Sequence, residues 1–240
     1  MISNAISAQP KTTEECQDQF DALCAHFGVS KSSAGAEKLS KLRELDAQTL
    51  VGAIMKLKHH TFRPATDSSF IQPGLVKYNH SGTFAAEFKK RNCKLLIGEV
   101  LNEETLYSIT NPPEPNLESL RRQVGNYYAA TTADRVLEHY QLPGSKEKEA
   151  WATLFGNIVS DGQVRAPSRA LAMSLFEHGV SVQDIWRYRI AYRLSFITDT
   201  IAPMSFGIAH ATDKPFWKCV PTSTSTSTSI PSSFATFNVY

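Results

Sequence analysis

The sequence predicts an α/β fold, and two short runs carry that expectation. KLLIGEV (94–100) is an apolar run after a basic turn, the pattern of a buried parallel strand. QDIWRYRIAY (183–192) is rich in aromatic and β-branched residues and reads as a second strand. Long stretches with helical spacing flank and separate them, which is the order expected of α/β organisation. Two strands are too few for a free-standing doubly wound sheet, so the chain reads as part of a fold.

The first helix is expected over residues 12–27, with an acidic first turn and an apolar face of Cys16, Phe20, Leu23, Cys24 and Phe27 ended by Gly28. A second covers 36–44, and a third 46–57 starts on Asp46 as its cap. Residues 62–82 carry Pro64, Pro73, Gly74 and Gly82 and read as loop. Lys89-Lys90-Arg91 reads as a solvated turn. After Asn111-Pro112-Pro113, helices are expected over 116–130, 132–141, 145–158 and 163–178. PTSTSTSTSIPSS is low-complexity and too poor in apolar residues to order itself. The expected organisation is therefore one folded portion over 1–219 and a disordered Ser/Thr-rich tail over 220–240.

Bulk properties exclude several classes of function. A net charge of +2 on 240 residues is too mild for a nucleic-acid footprint, so no nucleic-acid partner is expected. No apolar run is long enough to span a bilayer. The N-terminus lacks the charged and apolar regions of a secretory signal, which points to a cytoplasmic chain as written. Cys16, Cys24, Cys93 and Cys219 show neither CxxC spacing nor histidines at zinc-ligand intervals, so neither metal nor cofactor is expected. Cys16 and Cys24 lie two helical turns apart, about 12 Å along the axis, too far for a disulfide across a straight helix. The cysteines read as free, buried thiols of a reducing compartment.

Chemistry concentrates in two segments. LLIGEVLNEETLYS (95–108) places Glu99, Glu103 and Glu104 at or just beyond the end of a buried strand, the sheet edge where α/β folds hold working groups. FGIAHATDKPF (206–216) holds His210 in a small-residue loop, with Asp213 three positions on. Each residue alone is an ordinary surface acid or loop histidine. The order acid-then-histidine, however, is that of the Ser…Asp/Glu…His triad of α/β hydrolases.

Four segments make the chain resemble the type-B carboxylesterase/lipase family, the cholinesterase-like group, over its C-terminal half. SNAISAQPKTTEECQDQFDALC resembles the stretch after the family's nucleophile region. FRPATDSSFIQPG resembles its F-x-P-x-x-D-G-x-F-x-x-x-P segment, and LLIGEVLNEETLY its I-G-x-x-x-D-E-G-x-x-F acid segment. GIAHATDKPFWK resembles its G-x-x-H-G-x-D-x-x-F histidine loop. DGQVRAPSRALA and IWRYRIAY add weaker support. The resemblance implies a partial α/β-hydrolase fold. It places the catalytic acid on Glu103, holding the imidazole, and the general base on His210. Glu104 stands where the family usually has Gly, Ala211 where a Gly follows the histidine, and Asn102 where Asp is usual.

The nucleophile is another matter. An elbow needs G-x-S-x-G between strand and helix. Ser33 has Gly35 behind it but Lys31 where the first Gly belongs, and no strand precedes it; Ser205 has Pro203 at that position. The resemblance places the elbow upstream of Met1, together with the oxyanion loop. The expectation is thus a carboxylic-ester hydrolase relative that is truncated and inactive alone, acting on an apolar ester if an N-terminal half complements it. A non-catalytic binding or regulatory fragment, half of a split esterase, and an incomplete gene model are the other readings. Open sheet edges and uncovered apolar faces predict marginal stability and aggregation on expression alone. A soluble monomer with a single cooperative unfolding transition in circular dichroism would count against that.

Overall fold

The computed structural model describes residues 10–200 and 202–214. The expected tail over 220–240, and Cys219, lie outside them. In chain order the helices are α1 (Thr13–His26), α2 (Gly35–Arg43), α3 (Ala47–Ile54), α4 (Leu75–Asn79) and α5 (Gly82–Lys90). Strand β1 (Leu95–Val100) follows, then α6 (Glu103–Ile109), α7 (Leu117–Val124), α8 (Ala130–Leu137), α9 (Lys148–Ser160) and α10 (Ala166–Glu177), and finally β2 (Ile185–Ile190). A π-helical turn, Asp161–Arg165, joins α9 to α10. The described residues form two compact units, one from 76–112 with 152–200 and 202–214, and the other from 10–75 with 113–151.

In the first unit β1 and β2 pair in parallel, with Leu95 opposite Ile185 and Val100 opposite Ile190. Both expected strands are therefore present and share one two-stranded sheet. The pleat sends alternate residues to opposite faces. Ile97 and Ile185 pack with Ala85, Leu171, Ala172, Leu175 and Val180 from the helical side. Val100, Tyr188 and Ile190 meet Ile208 on the other. Gly98 lies against Tyr188, where an added Cβ would collide with both the backbone oxygen and the ring. Gly156 of α9 serves similarly: its missing Cβ lets α9 close on Ser108 and the Glu104 carbonyl of α6.

Several expectations from the sequence need correction here. Within 62–82, expected as loop, Leu75–Asn79 form the short helix α4 and Gly82 opens α5, and Lys89 and Lys90, expected in a solvated turn, are the last two residues of α5. Ser81 caps that helix by accepting the Phe84 N–H at 3.2 Å, and Phe84 and Phe88 bury against the sheet. The prolines and glycines just upstream hid an ordinary amphipathic turn sequence. A further helix, α6, which the sequence did not lead us to expect, begins on Glu103. The expected helix 116–130 ends early, at Val124.

In the second unit, side-chain caps open α1, α3 and α7, whereas α2 and α8 begin without one. Thr12 and Glu15 form a reciprocal capping box: Thr12 Oγ1 accepts the Glu15 N–H at 3.2 Å, and Glu15 Oε2 accepts the Thr12 N–H at 2.8 Å. Asp46 caps α3 as expected, accepting the Thr49 N–H at 2.9 Å. Cys16, Cys24 and Cys93 are free thiols; Cys24 is buried as expected, whereas Cys16 and Cys93 are partly exposed.

Lys38 and Asp21 form a buried ion pair at 2.8 Å in this unit. Lys38 also donates to the Lys31 carbonyl at 2.7 Å, and Gln17 donates to Asp21 at 2.9 Å. The Lys38 hydrogen bond, aided by Gln17, holds the Asp21 carboxyl below its usual range against the effect of burial. A carboxyl depressed in the folded state stabilises fully above its unfolded pKa, roughly 4, and that contribution fades as pH falls through the lower folded value. Stability measured by denaturant titration is therefore expected to drop below about pH 4, and Asp21→Asn to flatten that drop while lowering stability at pH 7.

Candidate active site

The site is assembled where β1 ends. Beyond Val100 the pairing with β2 continues for one step, Leu101 N–H donating to the Ile190 carbonyl at 3.0 Å. The chain 207–209 then comes alongside, with Asn102 bridged in parallel to Ala209. Asn102 N–H donates to the Ile208 carbonyl at 3.0 Å, and Ile208 N–H donates to Asn102 Oδ1 at 3.1 Å. Glu103 follows Asn102 directly and His210 follows Ile208 by two, so this exchange delivers both side chains to one place.

There they meet. Glu103 Oε2 lies 2.6 Å from His210 Nδ1 across 107 residues of sequence. The Glu103 carboxylate is 2% exposed, and its other oxygen accepts the Val100 N–H at 2.7 Å. Both oxygens thus have a donor, which offsets the cost of burying a charge. His210 keeps a side-chain exposure of 26%. Its ring lies beside Tyr107, one turn after Glu103 on α6, with 5.7 Å between ring centres. A neutral His210 must carry its proton on Nδ1 to donate to the carboxylate, which leaves the Nε2 lone pair to accept one. The arrangement can take a proton at Nε2 while the carboxylate stabilises the resulting imidazolium.

The other candidates go elsewhere. Glu99 is buried on β1, with Arg189 at 3.8 Å and Arg169 at 4.0 Å. Glu104 is bound by Arg165, which the π-helical turn also brings to Asp161 at 3.0 Å and to Ser160 Oγ at 3.1 Å. Asp213 is buried and accepts from Tyr188 Oη at 3.3 Å. Ser33 sits between α1 and α2 in a turn closed by its N–H to the Ser30 carbonyl at 3.1 Å. No strand leads into it, so the strained strand–turn–helix geometry of a nucleophile is absent at that serine. Ser205 lies in a short 3₁₀ turn, Met204–Phe206. A cavity of about 650 Å³ occurs in the second unit, lined by Lys11, His59, Arg122 and Tyr128 among others, and neither Glu103 nor His210 lines it. Among the described residues no group of three or more His, Cys, Asp or Glu could hold a metal, and no helix is long and apolar enough to cross a membrane.

Arg193 is a contributor that the sequence did not reveal. Its guanidinium donates to the Gly207 carbonyl at 2.6 Å, the Ile197 carbonyl at 3.1 Å and the Ala202 carbonyl, tying down the chain that leads to His210. Nothing in the residues around it marks it, because all three acceptors are backbone groups.

An acid held against a histidine at the carboxyl end of a parallel sheet is the arrangement of an α/β-hydrolase. The chain is 42% identical over 222 residues to an uncharacterized esterase/lipase of Schizosaccharomyces pombe, covering 90% of this chain and 41% of that protein. It is 28% identical over 223 residues to a carboxylic ester hydrolase of Gibberella moniliformis, covering 90% and 40% respectively. Two solved structures of PNB esterase superpose with TM-scores of 0.57 and 0.54 at 18% and 20% identity, each covering 90% of this chain. No family model matches the chain. The chain is thus homologous to proteins named esterase/lipase and carboxylic ester hydrolase, and it shares part of the α/β-hydrolase fold of the PNB esterases, which belong to the type-B carboxylesterase family. It spans about two-fifths of the length of the curated relatives it matches.

Ala211, immediately after the histidine, has a φ of 70°. That region is costly for any residue with a Cβ. Replacement Ala211→Gly is expected to stabilise the chain by about 0.5–1 kcal/mol, the relief being partly offset by the freer unfolded chain. A thermal midpoint that falls in Ala211→Gly would contradict this.

Proposed function

We propose that Glu103 and His210 are the acid and the general base of a serine-type carboxylic-ester hydrolase. The observation that carries this reading is the 2.6 Å contact between Glu103 Oε2 and His210 Nδ1, made by a buried carboxylate and a partly exposed ring. In the proposed cycle His210 Nε2 removes the proton from a serine hydroxyl as it attacks the ester carbonyl. The same nitrogen then protonates the departing alcohol. Water, deprotonated by His210, hydrolyses the acyl-serine and regenerates it. Glu103 remains ionised throughout and fixes the Nδ1–H tautomer.

The serine is not assigned within these 240 residues, which contain no G-x-S-x-G. We therefore infer that the nucleophile and the oxyanion donors come from residues outside them, and that the chain alone does not hydrolyse esters. Removing a single oxyanion donor costs about 10²–10³ in rate, and without a nucleophile the covalent route is closed. The substrate class is an apolar carboxylic ester, supported by the names of the two curated relatives as regards the ester alone.

A fluorophosphonate probe should leave the purified chain unlabelled. Mixing with the part of the S. pombe relative outside the matched region should restore p-nitrophenyl ester hydrolysis. In that mixture Glu103→Gln should cost about 10³–10⁴-fold in kcat and His210→Ala at least as much. Hydrolysis by the chain alone, or a complemented mixture indifferent to His210→Ala, would refute the reading.

A further inference from the structure

The acid and the histidine lie on segments far apart in sequence, and something must hold them in register more tightly than two strands alone can. Asn102 makes three contacts at that junction. Its N–H donates to the Ile208 carbonyl at 3.0 Å. Its side-chain Oδ1 accepts the Ile208 N–H at 3.1 Å. Its Nδ2 donates to Glu104 Oε1 at 3.3 Å. The amide orientation is dictated from both ends. Turned over, it would aim an NH₂ at an N–H and a carbonyl oxygen at a carboxylate.

The surroundings fit this side chain closely. Gly207 has a φ of 60°, and a Cβ there would stand 2.5 Å from Asn102 Oδ1. Arg193 holds the Gly207 carbonyl from the other side at 2.6 Å. Glu104, which receives the Nδ2–H, is anchored through its second oxygen to Arg165. Asn102 is therefore bonded to the histidine segment through Oδ1 and to the acid helix through Nδ2.

From this geometry we propose that Asn102 is a positioning residue whose amide clasps the histidine-bearing segment to the start of α6 and thereby sets the Glu103–His210 contact. Only an amide of this length serves. Leucine loses both bonds. Aspartate keeps the acceptor toward Ile208 but sets a second carboxylate oxygen about where Nδ2 now meets Glu104, and the like charges repel. The repulsion would push α6 and its first residue, Glu103, away from the histidine segment. The purpose of the clasp rests on the reading of Glu103 and His210 as a working pair; its existence does not.

The test is proton NMR on the full ¹⁵N-labelled chain, reading the exchange rate of the Ile208 amide and the downfield Nδ1–H signal of His210, identified by its loss in Glu103→Gln. In the parent chain the Ile208 amide is expected to be protected and the signal present. Asn102→Asp should speed Ile208 exchange at least fivefold, about 1 kcal/mol of local stability, and weaken the His210 signal. Asn102→Asp combined with Glu104→Gln reverses donor and acceptor across the same contact and should restore both. An unprotected Ile208 amide in the parent, exchange unchanged in Asn102→Asp, or a double variant no better than the single one would each overturn the clasp. A protected Ile208 that responds as described, with no Glu103-dependent His210 signal, would uphold the clasp and sink the working pair instead.

Discussion

The Glu103–His210 hydrogen bond is the contact on which the meaning of this fold depends, and it exists only because the β1–β2 register is what it is. Val100 lies opposite Ile190, one further hydrogen bond extends the pairing, and Asn102 then meets Ile208 and Ala209. A slip of one residue would turn every side chain to the opposite face and carry Glu103 away from the ring. Register in turn is secured by the two apolar clusters on either face of the sheet, centred on Ile97 and on Val100. Burial of the acid adds a second constraint. A carboxylate at 2% exposure is tolerable only with donors on both oxygens, and the Val100 N–H and His210 supply them.

Two positions where the resembling family pattern has glycine, 104 and 211, carry other residues here, and the structure accommodates them in different ways. Ala211 retains a positive φ of 70°, so the backbone keeps a glycine-like conformation at the cost of some strain. Glu104 sits instead in the first turn of α6, where its carboxylate is gathered in by Arg165 and Asn102. The π-helical turn Asp161–Arg165 belongs to that accommodation, since Arg165 closes it and reaches Asp161, Ser160 and Glu104 together.

The same residue types proved informative or misleading according to what surrounded them. Asp46 was readable as a cap because a cap works through its own next three residues. Helix α5 was not readable, because Gly82 at its first position and the prolines upstream look like loop until Phe84 and Phe88 are seen to bury on the sheet. Position behind a strand gave Glu99, Glu103 and Glu104 an equal local claim, and only the resemblance to the esterase acid segment singled out Glu103. Glu99 is separated from it by the pleat, and Glu104 by one step along a helix that begins at Glu103.

The amino-acid sequence by itself determined the strands, most helices and the order acid-then-histidine, because periodicity and capping act over a few residues and are written in neighbouring positions. Its resemblance to the esterase acid segment and histidine loop also marked Glu103 and His210. Only the tertiary structure decided that these two meet, that Arg193 and Asn102 hold the segment carrying the histidine, and that Lys38 is neutralised by Asp21. The physical reason is that each of those bonds joins segments brought together by packing, and several of them end on backbone atoms that every residue carries alike.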